Sequence, residues 1–97
     1  MNKAIRHHFS RVAELGCLVC GAPAEIHHVT AYADRMGRIS RSDERVVPLC
    51  PTHHRSGAVG GYHKSVEALG HRGFYLIHGI DLYAEAERLW NESRRAA

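Results

Sequence analysis

Apolar residues recur at helical spacing near the start of the chain. Between residues 3 and 15, Ile5, Phe9, Val12 and Ala13 share one face among charged and polar neighbours. That spacing predicts a short amphipathic helix with Gly16 as its C-cap. The period then changes. The run CLVCGAPAEIHHV reads as a turn leading into a strand near Glu25–Val29, and ERVVPLC supplies a second β-branched run at Arg45–Leu49, with Pro48 ending it or lying at an edge. A helical turn is expected after Cys50, interrupted by SGAVGG from Ser56 to Gly61, where the chain can change direction. Tyr62, Val66 and Leu69 share a helical face ahead of Gly70, and FYLIHG predicts a further short helix closed by Gly79. Asp81 then caps a final helix whose Leu82, Ala86, Leu89 and Trp90 form a continuous apolar stripe. A stripe of this kind is core, so Trp90 is read as packing rather than as a base-stacking residue. Arg94 and Arg95 fall in the last turn, where they complement the helix dipole without needing a ligand.

Nothing in this pattern repeats, and no composition break marks a second domain. The 97 residues are read as one small α+β domain that buries about two-thirds of its unfolded surface, which leaves it marginal on apolar burial alone. Hydrophobic residues at 44% and charged residues at 24% argue against disorder. The first 16 residues carry charges throughout, and no apolar stretch approaches membrane-spanning length. A cytoplasmic location with reduced thiols is the expectation. The net charge of +3 favours a polyanionic partner only weakly. The spacing of Arg35, Arg38, Arg41 and Arg45 through a Gly- and Ser-containing segment is more informative, because guanidinium groups on such a loop can reach phosphates, although a solvated basic loop has the same composition.

Histidine and cysteine change the picture most. Nine histidines exceed what an ordinary surface needs, and three cysteines cannot all be paired in disulfides. Cys17-x-x-Cys20 has zinc-knuckle spacing, and Cys50-Pro-Thr-His53 repeats the same gap with the remaining cysteine and a histidine. Together Cys17, Cys20, Cys50 and His53 make a Cys3His set, whose four protein ligands leave no open position and therefore define a structural zinc site. A redox pair is disfavoured because no thioredoxin-like βαβ pattern surrounds Cys17 and Cys20. His54 is then left beside the cluster, with His27 and His28 on the first strand and His63 beyond the glycine-rich interruption. Adjacent strand residues point to opposite faces, so His27 and His28 suit different roles. His7, His8, His71 and His78 are assigned none.

CLVC, EIHHV, VVPLCPTHH and YHK, spanning Cys17 to Lys64, resemble the H-N-H nuclease superfamily. More narrowly, RSDERVVPLCPTHHR, YHKSVEALG and GIDLYAEAERLW resemble the phage and bacterial recombination-enhancement nucleases, a likeness that runs to Trp90. The resemblance implies a ββα-metal fold: an N-terminal helix over 1–16, a zinc knuckle and ββα-metal core over 17–68, and C-terminal helices over 71–97. It implies cleavage of DNA phosphodiesters with one divalent cation, and work with a recombinase filament. Residue by residue, it gives His27 as a metal ligand, His28 as the general base, and His54 as a second ligand, with His63 completing the set. The asparagine of the family motif has no counterpart before VVPLC, where Asp43 and Arg45 stand.

On this reading His28 deprotonates water while a cation held by His27, His54 and His63 stabilises the charge that develops on the phosphate. Three imidazoles favour manganese, cobalt, nickel or zinc, and magnesium can still operate by drawing ligands from phosphate and water. Arg38, Arg41, Arg45 and Arg55 are the expected phosphate contacts. The rival reading is a non-catalytic zinc module that binds DNA, which would keep the Cys3His set and have no use for His28.

Overall fold

A computed structural model describes residues 2–29 and 43–96. Arg35, Arg38 and Arg41 lie outside the described residues. Helix α1 (Lys3–Glu14) starts where the Asn2 side chain accepts a hydrogen bond from the Ile5 N–H at 2.9 Å. It buries Ile5, His8 and Val12, while the expected stripe residue Phe9 is only partly covered. Gly16, at φ +79°, follows the helix, and a Cβ there would press on the Gly21 carbonyl at 2.8 Å. The left-handed turn and the tight return of the loop both require glycine at that position.

Strands β1 (Glu25–His28) and β2 (Val46–Leu49) pair antiparallel, with Glu25 opposite Leu49 and His28 opposite Val46. The Val29 N–H donates to the Arg45 carbonyl at 2.9 Å and carries the pairing one step further. All four residues of β2 are buried, which explains its unbroken apolar run, whereas β1 is half-buried. Pro48 sits inside the strand opposite Ile26, and its carbonyl accepts from the Leu18 N–H at 3.1 Å, so the knuckle loop lies along β2.

Four helices follow β2. Helix α2 (Pro51–His54) carries proline in its first turn, where a missing N–H costs nothing, and α3 (Gly61–Lys64) follows the SGAVGG segment. Gly61 is buried there, and any Cβ would collide with the Arg55 carbonyl, so the reversal closes only on glycine. Helix α4 (Val66–His78) joins the two expected short helices across a break at Gly70, which has φ +72° and non-helical ψ. Gly79 closes it in the left-handed conformation, as its sequence position predicts. Helix α5 (Leu82–Ala96) begins under Asp81, whose Oδ1 accepts from the N–H groups of Tyr83 and Ala84 at 3.0 and 3.2 Å.

Val12, Val46, Val47, Leu49, Val66, Phe74, Leu82, Ala86 and Leu89 form the core, with β2 packed against α1 and α5. Burying a Leu or Phe side chain is worth about 1.5–3 kcal/mol each, so this cluster is what fixes the sheet against the two long helices. Among the described residues no helix is long and apolar enough to cross a membrane.

Candidate metal centre

The knuckle loop and the start of α2 bring four donor atoms together. Gly21 N–H closes the loop on the Cys17 carbonyl at 2.9 Å, and the N–H groups of His53 and His54 both donate to the Cys50 carbonyl at 3.0 and 2.9 Å. The turn that results folds His53 Nδ1 back to 3.2 Å from Cys50 Sγ and 3.6 Å from Cys17 Sγ. Cys20 Sγ lies 3.7 Å from Cys50 Sγ, and all four donor atoms fall within 4.8 Å of one another. Tetrahedral zinc with Zn–S of about 2.3 Å and Zn–N of about 2.0–2.1 Å requires edges of about 3.8 Å between sulfurs and about 3.6 Å between sulfur and nitrogen. The set fits, and could hold a metal ion such as zinc. It is the set that spacing along the sequence pairs.

Its electrostatics point the same way. All three cysteines are free thiols. Burial opposes ionisation of Cys17, but hydrogen bonds from the backbone of Cys50, Cys20 and Val19 outweigh it and lower the thiol's pKa. Burial raises Cys50, and the neighbouring Cys20 and Cys17 thiols push it further, against a backbone hydrogen bond at His53. Burial, followed by the charges of His78 and Lys64, lowers His53 and keeps a lone pair on its ring. A cation is what lets three crowded thiols ionise together.

A second group lies on one face of β1. Strand alternation puts Glu25 and His27 on that face. The Glu25 carboxylate accepts from His54 Nδ1 at 2.6 Å and from Arg55 Nε at 2.7 Å, and its other oxygen takes the Arg55 guanidinium. Arg55 hydrogen bonding, then the His54 interaction, lowers Glu25 against the effect of burial. In a neutral imidazole whose Nδ1–H is given to Glu25, the lone pair is on Nε2. The His54 ring stands edge-on to His27, with centroids 4.9 Å apart. His27 Nε2 lies 3.2 Å from His71 Nε2, and His71 Nδ1 lies 3.0 Å from the Tyr83 hydroxyl. Burial, reinforced by His54, His71 and His28, lowers His27 to about 3, so its imidazole is neutral. Burial also lowers His71, with Asp81 opposing it.

The structure distributes the other expected site residues differently. His28 Nε2 lies 2.9 Å from Asp43 Oδ1 and its ring stands edge-on to Phe9 at 5.8 Å, close enough to His27 for its charge to act on that imidazole. His63 is exposed on α3 with its ring edge against Tyr62, and His71 is the histidine that reaches His27. Arg55 is paired with Glu25 rather than presented alone. Arg45 is half-buried: its Nη1 lies 3.8 Å from Glu44 Oε2 and makes no hydrogen bond among the described residues. Glu25, His71 and Tyr83 escaped the sequence reading, and Asp43 entered it only as a residue standing where the motif asparagine is missing. Glu25 was detectable, since it lies two residues before His27 and so shares its strand face, whereas His71 and Tyr83 carry no spacing signal.

No family model, curated protein or solved structure matches the chain.

Proposed function

We propose that this protein is a metal-dependent DNA endonuclease of the ββα-metal type. The observation that carries the reading is the position of His27, 3.2 Å from His71 between Nε2 atoms and edge-on to His54 at 4.9 Å, beside a Cys3His group that is the one set of donors close enough to hold a metal as it stands among the described residues. Two antiparallel strands followed at once by α2 supply the order such a site needs. The Cys3His group takes a structural zinc, and the three imidazoles take a second, catalytic cation. Nitrogens bound to one tetrahedral ion at about 2.0–2.1 Å are about 3.4 Å apart. The 3.2 Å between His27 and His71 suits that edge. Tyr83 behind His71 and Glu25 behind His54 fix the ring orientations, the usual arrangement of groups behind metal-bound imidazoles.

Such a cation, when bound, acts as a Lewis acid toward the phosphate and the leaving oxygen. His28 removes the proton from the attacking water. The 2.9 Å contact of its Nε2 with Asp43 Oδ1 holds the ring in place. Arg45 and the basic segment before it supply phosphate contacts.

A plasmid-nicking assay across divalent metals tests this. Wild type cuts with at least one of manganese, cobalt, nickel, zinc or magnesium, and His28→Ala loses about 10²–10⁴-fold in rate. His71→Ala loses activity that added metal partly restores, while His63→Ala retains it. A protein that never cuts, or cuts equally well without His28, is a zinc-stabilised DNA-binding module instead.

A further inference from the structure

The N-terminal end of α1 and the C-terminal end of α5 enclose a groove of about 760 Å³, lined by Lys3, Ala4, His7, Trp90, Ser93 and Arg94. A smaller hollow of about 290 Å³, lined by Asn91, Arg94 and Arg95, adjoins it through Arg94. None of these residues belongs to either cluster of metal donors. We infer that the pair of hollows is a binding site for single-stranded DNA, in which an unpaired base stacks on Trp90 and its phosphate is held by Arg94.

Three observations select this occupant. Trp90 is half-buried, and the His8 ring meets it edge-on with centroids 5.0 Å apart and planes at 75°. The indole is therefore held from behind and needs little further ordering to accept a flat aromatic ligand. Every charged side chain lining either hollow is cationic. Of the acids on α5, Glu85 is engaged with Arg88 and Glu92 with both Arg88 and Arg11, while Glu87, exposed one turn before Trp90, lines neither hollow; no ion pair joins an acid to Lys3, Arg94 or Arg95 among the described residues. An aromatic platform beside cations is the arrangement that holds single strands irrespective of sequence, because every base has a π-face and every nucleotide a phosphate. A duplex keeps its bases stacked on one another and offers the groove only backbone, so it leaves the apolar surface unused.

The choice of DNA over other single strands rests on the nuclease reading; the groove itself does not. Trp90 is the chain's one tryptophan, so its fluorescence reports the site directly. Zinc-loaded His28→Ala protein, which leaves the probe intact, is titrated with oligothymidylate and with a duplex of equal length. The single strand is expected to quench Trp90 saturably and more strongly than the duplex. Arg94→Ala, an exposed change, lowers the slope of log affinity against log salt by about 0.7. Trp90→Phe retains binding, and Trp90→Leu, checked for native zinc content and circular dichroism, weakens it by at least about fivefold, followed by anisotropy of a labelled strand. Absence of quenching, or quenching that Arg94→Ala leaves unchanged in affinity and salt slope, overturns the inference. So does a concentration-dependent fluorescence change without DNA that tracks dimer formation in sedimentation, since the groove then receives a second copy of the chain. Nicking by wild type without Trp90 quenching removes the groove alone; quenching without nicking removes the nuclease reading and keeps the groove.

Discussion

Glu25 shows how much one carboxylate on the strand organises. It accepts from His54 and pairs with Arg55, so it aims one imidazole and offsets the charge of one exposed cation. Glu25→Gln is predicted to weaken binding of the second cation by about 10–100-fold while the zinc content of the Cys3His group is unchanged. Calorimetric titration of manganese into the zinc-loaded protein measures this, and equal affinity in the two proteins would detach Glu25 from the site. The period of the strand places Glu25 beside His27, which is why this residue was within reach of the sequence. His71 was not. Its approach to His27 depends on the break at Gly70 and on how α4 docks, and neither leaves a mark at fixed spacing.

Among the elements, α1 and α5 are joined by a buried polar clamp. The Ser93 hydroxyl donates to His8 Nδ1 at 2.6 Å, and His8 Nε2–H donates to the Glu44 carbonyl at 3.1 Å. Arg11 adds bonds to Ser93 Oγ at 2.8 Å and to Glu92 at 3.1 Å. The helical stripe was legible as Ile5, Phe9 and Val12, but His8 occupies the same face and goes deeper than Phe9, because both its nitrogens find partners there. A polar residue on an apolar face gives no sign in the sequence that its hydrogen bonds will be met. Burial lowers the pKa of His8 below 6.5, aided by Arg11 and Arg45 and opposed by the Glu44 backbone bond and carboxylate. The unfolded chain therefore binds a proton near pH 6.5 that the native state refuses until lower pH. Stability is full above that value and falls as pH drops through the window beneath it. Urea midpoints at pH 7.5 and 5.5 are predicted to differ less in His8→Leu than in wild type; an equal difference would mean that His8 is not the group responsible. His8→Ala is predicted to cost about 2–4 kcal/mol, since it opens a cavity and strands two hydrogen-bond partners.

For the molecule as a whole, the Cys3His group ties the loop after α1 to the end of β2 and the start of α2, segments separated by more than thirty residues of chain between Cys17 and Cys50. Apparent zinc affinities of about 10–16 kcal/mol match or exceed the entire stability of a domain this size. Removal of metal by a strong chelator is therefore predicted to abolish the cooperative unfolding transition, and Cys50→Ser to do the same without chelator. A metal-free protein with unchanged near-ultraviolet circular dichroism would show the core to be sufficient. This part of the architecture was the most legible, because tetrahedral coordination dictates ligand spacing and that spacing is written in the sequence, as it is at Gly79 and Asp81, whose backbone roles are equally local. The histidine group at β1 was only half legible, because His27 and His54 lie in recognisable motifs while His71 arrives through tertiary packing. The most direct test of the whole account is the number and kind of ions held by one chain, read by cobalt(II) titration with element analysis. Two are expected: one with the sulfur-to-cobalt charge-transfer band of a Cys3His site, and one without it that disappears in His71→Ala together with nicking activity. A single ion per chain, bound only by the thiolates, would contradict it.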